Sequence, residues 1–233
     1  MQDKSATGQR SSGKRRQREV RELLQARDHE ALRQWAATDR APLRTLTSLL
    51  FDPDELVVYR GAEAFGVVMP GFSLESTRKQ LTHLFWMMND ESGALCWRAP
   101  EAIAEILVAR QELADEFGRV LLSFIVEEPF EAGVCWAITR LATIDSAVEL
   151  QGNFRLVLPE LTRWLDRREP RIRGMAVLAF GALKRPSAIS KLEGMAADAG
   201  VFTWYQTKSG ELRRTTVGEA AGDVAKYLKS LKE

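Results

Sequence analysis

The sequence predicts an all-α protein: a right-handed α-α superhelix of stacked helix pairs, with a small β-hairpin inserted in the last pair. Three observations favour this fold. Apolar residues recur at helical spacing along most of the chain, and glycines and prolines fall between the apolar segments. A block of similar sequence also recurs every 38 or 39 residues. A two-helix unit of this length buries its apolar face only by stacking on similar neighbours.

Length and composition fit one solenoid of ordinary size. The chain has 233 residues, of which 45% are hydrophobic and 28% are charged, as in average soluble proteins. No apolar run approaches the roughly 18 residues that span a bilayer, and the polar, basic start does not have the pattern of a signal peptide. We therefore expect a cytoplasmic protein with no membrane segment.

The N-terminal segment is basic. Residues 1–21 carry seven basic and two acidic side chains, a charge of +5, and because the whole chain has a net charge of +1, the rest carries −4. We expect residues 1–14 to form a disordered basic arm and residues 15–40 to form a helical cap. A mildly acidic body is a poor match for a phosphate backbone, so nucleic acid binding is expected, if anywhere, at the arm. A solvated tail without a specific role is the alternative.

Residues 41–233 carry the repeats and are expected to form about five helix pairs. The segment 57–66 matches 95–104 in residue class at nearly every position, and 134–136 and 172–181 continue the series more loosely. Segments 52–66 and 168–181 resemble HEAT repeats, of the short bacterial type also found in phycobilisome-lyase-like proteins. The resemblance covers residues 41–232 and implies that the second helix of each pair lines a concave face where extended partners bind.

Acidic residues cluster at the turn within each repeat, where they could be taken for paired catalytic carboxylates. We interpret them as helix caps, because carboxylates at a helix start accept hydrogen bonds from free amides and oppose the positive end of the dipole. These residues are Asp52, Asp54, Asp90, Glu91, Glu127, Glu128, Asp166 and Glu169.

The last unit departs from the repeat pattern. Two β-favouring runs, 202–207 and 211–215, flank Lys208, Ser209 and Gly210, which predicts a hairpin near residues 202–215. Thr216 and Glu219 then form a capping-box pattern that starts the final helix. A terminal repeat needs an atypical outer face, so we expect this hairpin to cap the solenoid.

If the second helices stack in register, equivalent positions form rows on one surface. Two residues after the start of each block, Tyr59, Trp97 and Trp136 give an aromatic row, and the residues three and six after the start give a mostly charged row. Tyrosine, tryptophan and arginine are common at binding hot spots. The alternative is that the aromatic residues are packing residues and that Arg60 with Glu63 and Arg98 with Glu101 are surface ion pairs. The candidate partner-binding residues are Tyr59, Arg60, Trp97, Arg98, Glu101, Trp136 and Arg140.

The spacing of the cysteines and histidines does not match a disulfide, a metal site or a catalytic motif. Cys96 and Cys135 fall on adjacent second helices, whose axes pack about 8 to 10 Å apart, so we expect two buried or half-buried free thiols. Pro100 is expected to bend its helix near Trp97. The two histidines are not in metal-ligand spacing and no local catalytic motif occurs, so we predict no cofactor, metal site or catalytic residue.

Three functional hypotheses follow. The first is a non-enzymatic scaffold that grips a protein segment in its concave face. The second is an enzyme of the HEAT-like DNA glycosylase type, in which Trp97, Trp136 and Glu101 would act on an alkylated base, although the acidic body argues against it. The third, from the phycobilisome-lyase resemblance alone, is a helper in chromophore attachment or protein modification. Enzymatic activity is left open, with a non-enzymatic role preferred.

Overall fold

A computed structural model describes residues 3–39, 41–89, 95–145 and 148–231, and the side chains within 13–39, 41–89, 95–145 and 150–231. Within these ranges the chain is mostly helical, with one two-stranded antiparallel sheet. None of the helices described is both long and apolar enough to cross a membrane.

In the residues that the structure describes, two N-terminal helices precede five helix pairs. The N-terminal helices are α1 (Asp3–Ala26) and α2 (His29–Thr38). The first helices of the pairs are α3 (Pro42–Leu49), α5 (Leu74–Met88), α7 (Ala114–Ser123), α9 (Val148–Trp164) and α11 (Ile189–Gly194). The second helices are α4 (Glu55–Val68), α6 (Ala99–Ala109), α8 (Glu131–Leu141), α10 (Pro170–Ala182) and α12 (Val217–Ser230).

The second helices form a continuous stack, and the first helices pack against them from outside. In chain order α4 contacts α6, α6 contacts α8, α8 contacts α10 and α10 contacts α12. Their buried aliphatic side chains join one hydrophobic core that runs from Val20 to Leu228. The prediction of an all-α solenoid is confirmed, because each pair buries its apolar face on its neighbours.

Helix starts follow the expected capping chemistry in part. The Asp54 carboxylate accepts a hydrogen bond from the Leu56 amide at 3.0 Å, and the Thr216 and Glu219 capping box is complete. The cap expectation is wrong at Glu169, which precedes α10 without a side-chain bond to it, and at Asp166, which contacts Lys191 at 2.6 Å. Asp90 and Glu91 lie outside the described residues.

The α6 start corrects the expected bend at Pro100. Helix α6 begins at Ala99, so Pro100 occupies the first turn, where its missing amide hydrogen is not needed and its fixed φ favours the helix. Trp97 and Arg98 therefore lie on the turn before α6. Tyr59 and Trp136, by contrast, lie within α4 and α8. The rows expected from equal repeat positions consequently do not form in the second unit.

The predicted hairpin is confirmed between α11 and α12, with β1 (Val201–Gln206) antiparallel to β2 (Glu211–Thr216). Its base packs on α10, where a Cβ built on Gly174 would lie 2.4 Å from the Phe202 ring. Its tip reaches α4 and the turn between α1 and α2, since the Gly210 carbonyl accepts hydrogen bonds from Arg60 and the Thr207 carbonyl accepts one from Arg27. The hairpin thus folds back across the stacked second helices, and its expected role as a cap of the solenoid stays a prediction.

Helix α1 begins at Asp3, inside the segment predicted to be a disordered arm. Helices α1 and α2 contact α4, and Arg21 joins Asp52 at 3.0 Å. Because the side chains before residue 13 lie outside the described part, the division into an arm at 1–14 and a cap at 15–40 stays a prediction.

Candidate partner-binding site

The predicted site residues divide into a buried set and an open set. Tyr59, Arg60, Glu101 and Trp136 are buried, and Arg98 and Arg140 are mostly buried. Trp97 is 64% exposed. The structure therefore places one large apolar side chain of the predicted set at the surface and most of the others inside the molecule.

The aromatic side chains of the buried set pack under the hairpin. The Tyr59 ring stacks on the Tyr205 ring, with centroids 5.3 Å apart and planes 8° apart, and lies 6.0 Å from the Trp136 ring. The Trp136 Nε1 donates a hydrogen bond to the Tyr205 carbonyl at 3.3 Å. We call the surface of the stacked second helices that contacts the hairpin the covered face.

Charged side chains of the covered face and of the turn between α1 and α2 hold the hairpin tip. Arg60 donates to the Gly210 carbonyl from Nε at 3.0 Å and contacts Glu211 at 2.8 Å. Arg27 donates to the Thr207 carbonyl and binds Glu63 through two bonds. The expected ion pair between Arg60 and Glu63 is therefore wrong, because each side chain has a hairpin or N-terminal partner instead.

Glu63 is the carboxylate at the centre of the tip contacts. The Tyr205 hydroxyl donates to its Oε2 at 2.6 Å. Burial opposes ionisation of Glu63, but the hydrogen bonds from Arg27 and Tyr205 outweigh burial and hold its pKa below the ordinary value. Burial and this bond to Glu63 raise the pKa of Tyr205, so the phenol remains a donor.

Arg140 pairs with Glu105 and not with another predicted site residue. Its Nε and Nη2 donate to the two Glu105 oxygens at 2.6 and 3.1 Å. Burial raises the pKa of Glu105 although Arg140 opposes that shift. This bidentate pair links α6 to α8 inside the stack. The Arg140 side chain is therefore engaged within the protein and does not stand at an open surface.

Arg98 connects the covered face to the edge of the solenoid. Its Nη1 donates to the Tyr59 hydroxyl at 3.1 Å and to Glu101 at 3.0 Å, and its Nη2 donates to Glu55 at 2.9 Å. The guanidinium carbon lies 4.8 Å from the Tyr59 ring centre, a cation-π distance. The expected pair between Arg98 and Glu101 is confirmed.

Trp97 separates two openings on the edge formed by the turns within repeats. The larger, which we call the edge cleft, has a volume of about 510 Å³ and contains Arg98, Pro129, Gly133, Arg168 and Arg171 in its walls. The smaller, the side pocket, has a volume of about 370 Å³ and contains the exposed Phe51. Trp97 and Arg98 line both.

The edge cleft has a mixed charge. Its Arg167 pairs with Glu128 at 3.2 Å and with Glu131 at 2.7 Å, and Arg171 donates to the Tyr59 hydroxyl at 3.0 Å. Arg168 is exposed, and its side chain has no hydrogen-bond or ion-pair partner among the described residues. Donors for a further acceptor are therefore present beside Trp97.

The thiols are buried and unpaired, as expected. Burial raises the pKa of Cys96 to about 11 and raises that of Cys135 as well. A thiol with such a pKa is protonated at neutral pH and is a poor nucleophile. Within the ranges described, no group of three or more metal-ligating side chains comes together.

Sequence reasoning missed four residues that build this region: Arg27, Tyr205, Arg168 and Arg171. Arg27 and Tyr205 lie outside the repeat blocks that predicted the rows; the turn between α1 and α2 brings Arg27 to Glu63 of α4, and the folded hairpin brings Tyr205 there. Arg168 and Arg171 flank Pro170, whose place at a helix start was the signal that could have located them at the edge.

Comparison with known proteins finds a partial relative of this chain. No protein-family model matches the sequence. An uncharacterised protein from Archaeoglobus fulgidus is 36% identical over 100 residues, which are 42% of this chain and 53% of that protein. This chain thus spans about half the length of that curated relative.

Solved structures with some similarity to this chain include a designed armadillo-repeat protein and an engineered protein. A designed armadillo-repeat protein in complex with the peptide (KR)4 has a TM-score of 0.49 and 18% identity, over 86% of this chain and 91% of that chain. An engineered protein has a TM-score of 0.48 and 15% identity, over 91% of this chain and 98% of that chain.

Proposed function

We propose that this protein is a non-enzymatic interaction scaffold that binds a protein partner at the edge cleft, with Trp97 as the central contact. The observation that carries the proposal is the 64% exposure of the Trp97 side chain between two openings that share Arg98. Exposed tryptophan next to arginine is typical of interface hot spots, because a large rigid ring buries much area at low entropic cost.

This proposal moves the partner from the concave face to the edge. On the covered face Tyr59, Arg60 and Trp136 are already in contact with the chain's own hairpin. A partner that binds the folded protein reaches Trp97 without displacing any of these contacts. Of the seven predicted residues, Trp97 and Arg98 line the cleft.

The glycosylase alternative receives no support from the positions of its proposed residues. A flipped base has to touch the groups that act on it. Trp136 and Glu101 are 2% and 1% exposed, beneath the hairpin and beside Gly133 respectively. We retain the phycobilisome-lyase-like repeat type, the cytoplasmic location and the separate role of the basic arm only as predictions from the sequence.

A pair of matched tryptophan variants tests the proposal. Trp97→Ala removes the central contact, whereas Trp86→Ala removes a tryptophan of 61% exposure on α5, outside both openings. Full-length protein and both variants are immobilised and exposed to native lysate in low and high salt, and each retained protein is then purified and titrated against all three. We expect a partner whose dissociation constant rises at least tenfold for Trp97→Ala and is unchanged for Trp86→Ala.

Two outcomes would contradict the proposal. One is a purified partner that binds the Trp97→Ala variant as tightly as the unaltered protein. The other is retention of nucleic acid alone, with the steep salt dependence of phosphate contacts. Arg98 is unsuitable for this test, because its side chain also holds the buried Glu101.

A further inference from the structure

We propose that the β-hairpin controls the edge cleft through Tyr59, so that the hairpin tip and a partner bound beside Trp97 affect one another. This inference rests on the proposed function, since it concerns regulation of that same cleft. It follows from two sets of contacts that meet on the Tyr59 side chain and from the polar character of the contacts that hold the tip.

The first set joins the hairpin to Tyr59. The Tyr205 ring of β1 stacks on the Tyr59 ring at 5.3 Å, and the Tyr205 hydroxyl is fixed by Glu63 at 2.6 Å. Trp136 donates to the Tyr205 carbonyl and packs against Tyr59 from α8. The Tyr59 ring is therefore held in place partly by a strand that does not belong to the solenoid stack.

The second set joins Tyr59 to the edge cleft. The Tyr59 hydroxyl accepts hydrogen bonds from Arg98 at 3.1 Å and from Arg171 at 3.0 Å. Both arginines line the cleft, and Arg98 also lies over the Tyr59 ring. A displacement of the ring that Tyr205 holds would thus move the two guanidinium groups beside Trp97.

The tip is the part of the hairpin that can release. Its contacts are hydrogen bonds from Arg27 and Arg60 to the Thr207 and Gly210 carbonyls, and water that reaches the same groups when the tip moves out offsets much of the energy of these bonds. Arg27 makes one of these contacts at a backbone φ of +52°, a left-handed conformation that costs energy in a non-glycine residue. The base is different, because the Phe202 ring lies where a Gly174 side chain would be.

The inference requires two arrangements of the same fold, the observed one with the tip held against α4 and one with the tip released while the base stays packed. A two-stranded hairpin has little stability of its own, which keeps the released arrangement accessible. A partner that uses Arg98 at the cleft favours the held tip, and the held tip favours the partner to the same degree, because coupling between sites is reciprocal.

Indole NMR signals of the ¹⁵N-labelled full-length protein test this coupling without a partner. The Trp136 indole reports the tip because it donates to the Tyr205 carbonyl, the Trp97 indole reports the cleft, and the Trp86 indole serves as a distant control. Conservative Trp→Phe variants assign the three signals. Tyr205→Leu removes the stacked ring, and Arg213→Ala alters an exposed β2 residue paired with Trp204.

In Tyr205→Leu we expect the Trp136 and Trp97 indole signals to shift together while the Trp86 signal stays in place. In Arg213→Ala we expect all three to stay. A shifted Trp136 signal with an unchanged Trp97 signal overturns the inference, because the tip would then have released without affecting the cleft.

Gly210→Ala is the second route to release, for use if Tyr205→Leu does not fold. Gly210 has a φ of +75°, and an added Cβ would lie 2.4 Å from Arg27 Cδ, so the change disturbs the tip without touching Tyr59 or Tyr205. The same signals are read, and partner affinity is expected to fall about fivefold. The two failures can be told apart. If Trp97→Ala leaves partner binding intact, the proposed function fails. If Gly210→Ala shifts the Trp136 signal but leaves the Trp97 signal unchanged, only the coupling between tip and cleft is overturned.

Discussion

The edge cleft and the covered face belong to the same stack of helices but differ in what occupies them. On the covered face Trp136 is 2% exposed and bonded to the hairpin, whereas at the edge cleft Trp97 is 64% exposed and stands between two openings. Both tryptophans follow a cysteine at the start of a repeat block. Their environments diverge because α8 begins before Trp136, whereas α6 begins after Trp97.

This difference shows that one repeat scaffold can hold a sealed surface and an open surface side by side. Burial of Arg60, Glu63 and Tyr205 is tolerated because each finds a partner on another element. At the edge, Arg98 is similarly held, but Trp97 and Arg168 are not covered. The covered face therefore stabilises the fold, and Trp97 and Arg168 at the edge remain open to solvent.

The sharpest test of the contrast is truncation of the buried tryptophan. Trp136→Ala removes a large side chain from the core beneath the hairpin and is expected to lower the free energy of unfolding by about 3–5 kcal/mol. Urea unfolding followed by circular dichroism measures the change. A loss below about 1 kcal/mol would show that the covered face is loosely packed.

Arg98→Ala is expected to cost roughly 3 kcal/mol, because it leaves the buried Glu101 carboxylate without its ion-pair partner. The Arg98→Ala, Glu101→Gln double variant is the control, since it removes the uncompensated charge and should recover part of the loss. Urea unfolding of the single and double variants gives both values. Equal stability of the two would mean that Glu101 does not depend on Arg98.

Glu63→Gln is expected to cost about 1–3 kcal/mol at pH 7, because the ionised carboxylate accepts bonds from Arg27 and Tyr205. The folded-state pKa of Glu63 lies below its ordinary 4.5, so its contribution is present above that pH and is lost as the pH falls. In unfolding curves between pH 7 and pH 3, the difference in free energy of unfolding between the wild type and Glu63→Gln should therefore decrease below about pH 4.5. A constant difference across that range would contradict this assignment.

The smallest effect is expected at the open edge. Trp97→Ala should change the free energy of unfolding by less than about 0.5 kcal/mol, because its side chain is mostly in solvent. Differential scanning calorimetry beside Trp86→Ala provides the matched measurement. A loss comparable to that of Trp136→Ala would place Trp97 in the packing of the solenoid and remove the contrast between the two regions.

Much of the fold could be predicted from local patterns. Helical periodicity, the 38-residue recurrence and the turn residues around Gly210 predict the stack and the hairpin, and both are confirmed. The site was harder, because similarity between blocks was taken as equal position along each helix. Pro100 already carried the correcting signal, since proline favours the first turn of a helix.

The sequence by itself determined which segments are helical, where the strands lie and that the helices must stack to bury their apolar faces. The tertiary structure alone decided which aromatic and charged residues of the second helices are covered, because that depends on where the hairpin tip comes to rest. Tyr205 is 142 residues from Glu63 and Gly210 is 150 residues from Arg60. Contacts between residues so far apart produce no periodic pattern in the sequence. They depend on the path of the folded chain, which brings together polar groups that replace their water partners with each other on burial.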